Sequence, residues 1–265
     1  MQTRNYSQRS IHSYVVCLAS LSKYFNLSPD LITVDQFKDY LNFCISDKKL
    51  SVSFINQTIS AFKILQQDVL GKHWDTFRIK RPRREKKLPV ILSKQEVKRL
   101  LDVTTNLKHK AVLALGYSAG LRRGEVLNLS PAHIDADRMQ IRVESGKGNK
   151  TRYTILSKEI LTILRNYYKI YRPKTYLFEG RVPGKPYSER SIEELFKLSL
   201  TKAQITKPAS FHTLRHCFAT HLLEQGTNIK IIQELLGHNS LKTTSIYFHV
   251  CKLDPGNIAS PFDSL

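Results

Sequence analysis

One ten-residue stretch limits every fold this chain can adopt: "KRPRREKKLP", Lys80 to Pro89. It is densely basic, carries two prolines and has no apolar period. No helix or strand with a buried face can run through such a segment. The chain therefore has to form a separate body on each side of it. We read residues 1–80 as a helical domain, 81–92 as a basic interdomain linker, and 93–265 as a second domain. At 265 residues there is room for two small domains, and a hydrophobic content of 41% lets them bury cores rather than stay disordered.

Upstream of the break the apolar residues recur at helical spacing. Ile11, Tyr14, Val15, Leu18 and Leu21 form one stripe. Phe37, Tyr40, Leu41, Cys44 and Ile45 form a second, opened by a capping box of Thr33 and Gln36. Ile55, Ile59, Phe62 and Leu65 form a third. Gly71 and Trp74 suggest a turn and a short closing helix, which predicts a bundle of four or so helices. Downstream, Ser93 and Glu96 make another capping box, and helices follow through Tyr117 to a stop at Gly120. "MQIRVE" and "TRYTIL" alternate around the glycine-rich "SGKGNK", which predicts a β-hairpin. The helical pattern returns after Ser157 and runs through Tyr171, then over Ser188–Lys202, Phe211–Gln225 and Ile229–Leu236. A last short helix should carry Tyr247. The fold class is mainly α with a small antiparallel β-sheet.

Charge narrows the partner. Forty-two Lys and Arg stand against 22 Asp and Glu, a net charge of +20, and such an excess points to nucleic acid. An anionic membrane fits less well, because no run of 18 apolar residues and no basic amphipathic anchor is present. The N-terminal "MQTRNYSQRS" lacks the apolar core of a signal peptide, so a cytoplasmic, nucleoid-associated protein is expected. Cys17, Cys44, Cys217 and Cys251 form no CxxC pair, which argues against structural zinc and a disulfide framework. The basic linker is either a solvated tether or a contact to the phosphate backbone. The overall charge favours contact, through Arg81, Arg83, Arg84, Lys86 and Lys87.

Four motifs carry reactive side chains, and each has a bland reading beside the functional one. In "AGLRRGEVLNL", Arg122 and Glu125 are three apart on one helix face, as many surface pairs are, while Arg123 should face solvent. In "SGKGNKTR", Lys147 lies between two glycines, either on an ordinary exposed turn or on a mobile tip that reaches a site. The P-loop pattern is absent, so nothing there argues for ATP. In "FHTLRHCFATH", His212, Arg215 and His216 share a face. Zinc is disfavoured because the HExxH glutamate is missing and the arginine would repel a dication. A functional His212 and Arg215 with a core-packed His216 is the economical reading. In "IKIIQELLGHNSLKTTSIY", Ile229, Ile232, Leu235 and Leu236 form a buried stripe that Gly237 ends. His238 then either caps the helix or faces a site, and Tyr247 either packs the last helix or is a nucleophile. The same segment resembles a helix-turn-helix, which would mean binding without chemistry.

Taken together, two arginines, two histidines, a lysine and a late tyrosine suit attack on a phosphodiester. Guanidiniums can grip the non-bridging oxygens and offset charge in the transition state. A tyrosine can attack and keep the phosphate while a lysine protonates the departing 5′-oxygen. Fixed cations then do the electrostatic work, so no metal and no cofactor is expected.

In order and spacing these motifs resemble the tyrosine recombinase (phage integrase, Xer-like) family over nearly the whole chain. The N-terminal bundle resembles the family's SAM-like core-binding domain in helix pattern and length. "AGLRRGE" resembles the first arginine box, which implies Arg122 as a catalytic arginine and Glu125 as its supporting acid. "GKGNKTR" implies Lys147 as the catalytic lysine, "HTLRH" implies His212 and Arg215, and "LGH" implies His238. "TTSIYFHV" implies Tyr247 as the nucleophile, with Phe248 where a polar residue is common. The resemblance implies site-specific recombination of double-stranded DNA. Strands would be cut to a 3′-phosphotyrosine and exchanged through a Holliday junction, without metal or ATP. It also implies a tetramer on two duplexes, with or without a partner recombinase, and a C-terminal tail that docks on the neighbour with Phe262 as its anchor, the alternative being a frayed end or packing on its own subunit. A chain that opens directly on the core-binding bundle suggests a simple recombination site. A type IB topoisomerase and a non-catalytic DNA-binding regulator are the alternatives.

Overall fold

The computed structural model describes residues 6–74, 79–82, 88–144 and 151–251. The chain divides into two compact units, Met1–Lys87 and Leu88–Leu265.

In the first unit three helices form where the sequence caps them: α1 (Gln8–Phe25), α2 (Val34–Ser46) and α3 (Val52–Ile64). Ser7, Thr33 and Ser51 each accept a backbone N–H of the first turn, and Gln36 returns the bond to Thr33. α3 continues into a π turn, Leu65–Val69. Leu21, Phe37, Tyr40, Leu41, Cys44, Ile55, Ile59 and Phe62 make the core, with the rings of Phe37 and Phe62 stacked at 3.9 Å. The stripe expected on α1 holds at Leu18 and Leu21 but fails at Val15. The helix buries Cys17 and Leu21 and leaves Val15 exposed. Two residues are about 200° of helix, so Val15 and Cys17 cannot face the same neighbour. Ile45 on α2 is likewise exposed. The expected closing helix falls on residues 75–78, outside the described ones, although Trp74 packs on this core. Arg81 turns back onto α3, where its guanidinium donates to the Asn56 carbonyl and the Ser60 hydroxyl. Arg83, Arg84, Lys86 and Lys87 lie outside the described residues.

The second unit begins with α4 (Lys94–Asp102), α5 (Leu107–Ser118) and α6 (Arg123–Leu127). A three-stranded antiparallel sheet follows in the order β1 (Ile134–Asp135), β2 (Gln140–Val143), β3 (Arg152–Ile155). The β2–β3 pair, with Arg142 opposite Tyr153, corresponds to the expected hairpin, and its tip, residues 145–150, is not described. The rest is helical: α7 (Lys158–Tyr171), α8 (Glu189–Lys202), α9 (Phe211–Glu224), α10 (Ile229–Leu236), α11 (Leu241–Thr244) and a 3-10 segment, Ser245–His249. Leu92, read from sequence as linker, is wholly buried in this unit's core, and its N–H donates to Cys217 Sγ. α9 is buried almost all round, from Phe211 to Leu223, and packs on α5, α8, α10 and the 3-10 segment. Most polar groups of α9, Arg215 and His221 among them, are therefore inside the protein and need partners there, while His212 stays exposed. Among the described residues no helix is long and apolar enough to cross a membrane.

Candidate active site

The site is assembled where α5 and α10 end against α9. After Ala119 the chain turns through Gly120, whose φ of +61° puts it in the left-handed region. A Cβ there would also collide with the Phe218 ring. The turn delivers Arg122 as the N-cap of α6 and Glu125 as its third residue. Arg122 thus precedes the helix rather than sharing its face. Its backbone N–H donates to Glu125 Oε2 (2.7 Å) and its Nη1 to Oε1 (2.8 Å).

Glu125 is the centre of the charge cluster. Arg152, from β3, donates to both carboxylate oxygens at 2.7 and 2.8 Å, and Arg215 Nη1, from α9, stands 3.7 Å from Oε2. Glu125 and Arg152 are each 9% exposed and Arg215 only 1%. Arg215 is held further by the carbonyls of Gly120 (2.6 Å) and Leu236 (2.5 Å), and Arg152 Nε by that of Leu235 (2.9 Å). Carbonyls at the end of a helix lack an intrahelical partner and carry the negative end of its dipole, so α10 supplies acceptors that suit buried cations. Gly237 is needed on two counts. It ends α10 at φ +63°, and a side chain there would run into the Arg152 stem. Burial alone would raise the Glu125 carboxyl. The Arg152 bonds and charge, with the Arg122 N–H and Arg215, overcome this and hold it at about 2.

One turn of α9 before Arg215 lies His212, and directly after Arg215 lies His216. The two imidazoles meet edge to face at 4.6 Å. His216 Nδ1 is 3.1 Å from the hydroxyl of Tyr247, which the 3-10 segment carries into the core at 2% exposure. His238 follows Gly237, and its Nδ1 is 2.9 Å from Thr244 Oγ1. Burial, then His212 and Arg215, press His216 down to about 4. Burial, then Arg215, Arg122, Arg152 and His212, do the same to His238. His212 is lowered too, by burial and by Arg215 and Arg122 against the pull of Glu125. Burial raises the Tyr247 phenol, and Arg215 and Arg122 recover only part of that. The site therefore holds neutral imidazoles beside permanent guanidinium charge.

A model of the phage integrase family matches residues 91–253, and one of the N-terminal SAM-like domain of phage integrases matches residues 1–76. The chain belongs to the phage integrase family. It is 41% identical over 210 residues to a tyrosine recombinase of Thermosipho africanus, covering 77% of this chain and 73% of the relative. It is 36% identical over 218 residues to the tyrosine recombinase XerA of Pyrococcus horikoshii, covering 80% and 75%. The crystal structure of the XerH site-specific recombinase bound to palindromic difH substrate, in a post-cleavage complex, shares the fold. Its TM-score is 0.75 at 21% identity, over 94% of this chain and 78% of that one. This chain is a tyrosine-type site-specific recombinase.

In this recombinase Arg122, Glu125, His212, Arg215, His238 and Tyr247 are brought into one site, while Lys147 lies outside the described residues. Two expectations need correction. Arg123 does not point to solvent. It is 27% exposed and pairs with Glu189 and Glu193, because the start of α6 faces α8. Together with Arg122 and His212 these three line an adjoining cavity of about 560 Å³. His216 is not mere core packing, since the Tyr247 hydroxyl is its partner. Sequence reasoning missed Arg152 altogether. The one cue was its place at the end of the quoted "SGKGNKTR", the second residue of the stretch where alternation resumes.

Proposed function

We propose that this recombinase cuts double-stranded DNA at a specific site through a covalent 3′-phosphotyrosine on Tyr247, and rejoins the strands by way of a Holliday junction. One observation carries this reading. The buried hydroxyl of Tyr247 lies within the field of Arg122 and Arg215, which are fixed around a single carboxylate. Arg122 is 40% exposed, so it can meet a phosphate while Glu125 holds its position. Arg215 supplies charge from below. Fixed guanidiniums of this kind stabilise the two non-bridging oxygens most when the phosphorus is pentacoordinate. His212 and His238, kept neutral, suit hydrogen bonding to the same oxygens. Lys147, by its sequence position, serves as the proton donor to the departing 5′-oxygen. The bond energy stays in the phosphotyrosine, so religation needs no ATP, and the arginines take the part a metal would otherwise play.

The net charge of +20 and the DNA in the XerH complex support a duplex DNA partner. Arg81, Arg83, Arg84, Lys86 and Lys87 would hold its backbone. The working assembly is a tetramer on two duplexes, with the tail around Phe262 reaching a neighbour and room for a partner recombinase.

The test is a suicide duplex nicked near the cleavage point, run on a denaturing gel. The wild type should accumulate a covalent adduct, and Tyr247→Phe should form none while binding the intact duplex normally. An adduct surviving in Tyr247→Phe would sink the assignment.

A further inference from the structure

We propose that His216 is the base that takes the proton from the Tyr247 hydroxyl as the phosphotyrosine bond forms. The inference rests on the reading of Tyr247 as the nucleophile and adds to it the group that activates it. The hydroxyl is buried and its described partner is His216 Nδ1, at 3.1 Å, within reach for direct transfer. Of the other bases in the cluster, His212 lies on the exposed side of α9 and is not the described partner of this hydroxyl, and two more are engaged elsewhere. His238 Nδ1 is taken up by Thr244, and the Glu125 carboxylate is occupied by Arg122 and Arg152. Glu125 is also held at about 2, too weak a base to accept a phenol proton.

Electrostatics decide when the base can act. His216 faces His212 and Arg215 from its own helix and Tyr247 from the 3-10 segment, and the phenol in turn faces Arg122 at the start of α6 and Cys217 on α9. In the free protein burial and these cations keep the imidazole neutral, so it can accept a hydrogen bond but holds a proton poorly. A bound phosphodiester brings a negative charge to Arg215. The effect of Arg215 on His216 is then offset, and the basicity of His216 rises when the substrate is in place. Tyr247, whose phenol is raised by burial, would supply almost no phenolate unaided at neutral pH. The step balances. The Tyr247 oxygen bonds to phosphorus, the bond from phosphorus to the 5′-oxygen breaks, the phenol proton passes to His216 Nδ1, and the 5′-oxygen takes its proton from Lys147. Religation returns both protons by the reverse path.

The experiment measures the rate of adduct formation on the nicked suicide duplex from pH 6 to 9.5 for wild type, His216→Gln and His216→Ala. Glutamine can accept the hydrogen bond but cannot take the proton. Both variants should cleave roughly 100-fold slower at pH 7 with unchanged duplex binding, the size of effect that a general base supplies. The His216→Gln rate should climb about tenfold per pH unit as phenolate is supplied by the solvent, while the wild type levels off. Imidazole in the buffer should restore part of the His216→Ala rate. His216→Gln cleaving at the wild-type rate, with the wild-type pH profile, would overturn the base assignment. Faster cleavage by His216→Ala would also overturn it, because the contact would then restrain Tyr247. Should thermal melting show His216→Gln unfolded, a folded His216→Ala that imidazole fails to rescue overturns it instead. A wild type that forms no adduct at all would remove the nucleophile assignment and this inference together, whereas a normal His216→Gln removes only the inference.

Discussion

The two units of this recombinase solve the burial problem in opposite ways. The first encloses an apolar cluster, with Phe37 on Phe62, and among the described residues its buried polar side chains are the neutral Thr58 and Gln66. The second, with a larger apolar core of its own, buries Arg215 almost completely and lines the space around it with Glu125, Arg152, His212, His216 and His238. Desolvating a guanidinium costs several kcal/mol, and an apolar residue of that size would serve stability as well or better. Stability alone therefore gives no reason for the charge cluster, which fits the phosphate-binding role proposed above. The comparison teaches where mutations should separate folding from chemistry.

The largest effect should come from Arg215→Ala. It leaves Glu125 with less charge and the carbonyls of Gly120 and Leu236 without their donor. Breaking such a buried set costs about 3–5 kcal/mol of folding free energy. Cleavage should also fall by roughly 100-fold or more even where the protein remains folded. Trp74, the single tryptophan, lies in the first unit's cluster, so its fluorescence reports that unit. Its unfolding midpoint should stay put while far-UV circular dichroism shows an early transition. A Trp74 midpoint that moves with Arg215→Ala would break the separation between the units.

The counterpart in the first unit is Phe62→Ala. The ring is wholly buried against Phe37, and removing it should cost about 3–5 kcal/mol. Here the Trp74 transition should come early and the far-UV transition of the remaining helices late. Adduct formation on a saturating concentration of suicide duplex should be slowed only as far as binding is weakened. Loss of the chemical step at saturation would tie the apolar unit to the chemistry itself.

A third test uses pH. The Glu125 carboxyl is held at about 2 in the folded state against 4.5 for an ordinary glutamate. Its contribution is complete above the unfolded value and is lost as pH falls through the folded one, so stability should drop between about pH 4.5 and 2 by up to about 3 kcal/mol. His216 and His238 act earlier and in the same direction. Their folded values lie near 4, so the unfolded chain takes up protons first, and stability declines below about 6.5. Denaturant titrations at a series of pH values should show two successive losses in the far-UV signal, with Glu125→Gln removing the lower one. A single-stage loss that Glu125→Gln leaves unchanged would show that the arginine cluster does not depend on the carboxylate charge.

Local cues and long-range ones were unequally legible. Helix starts read directly from Thr33 with Gln36, and from Ser93 with Glu96, because a cap is a contact over three residues. Arg122, Glu125, His212, Arg215, His238 and Tyr247 could be named because the motifs that contain them are short. Arg152 could not, since its partners are Glu125 and the Leu235 carbonyl, 27 and 83 residues away. His216 was visible as a residue, but its role depends on Tyr247, 31 residues further along, being folded back against it. β1 is two residues long, too short to show an alternation, and Val15 was misplaced because several stripes fit a helix as long as α1.

The smallest expected effect concerns a charge outside this cluster. Arg81 is exposed, and its guanidinium donates to neutral groups, the Asn56 carbonyl and the Ser60 hydroxyl. Those bonds fix its position on α3 without offsetting its charge, whereas Arg122 and Arg152 share theirs with Glu125. A guanidinium held in place by neutral groups suits a DNA phosphate, and a phosphate contact carries affinity without reading sequence. On that proposal Arg81→Gln should lower the slope of log affinity against log salt by about one unit. It should leave the preference for the recombination site over random duplex unchanged. Arg83, Arg84, Lys86 and Lys87 replaced by Gln should each lower it by up to about the same amount. Folding should not change measurably, since an exposed pair of neutral hydrogen bonds contributes little. A salt slope identical to the wild type would assign Arg81 to the fold of the first unit, where its bonds to α3 alone would account for it.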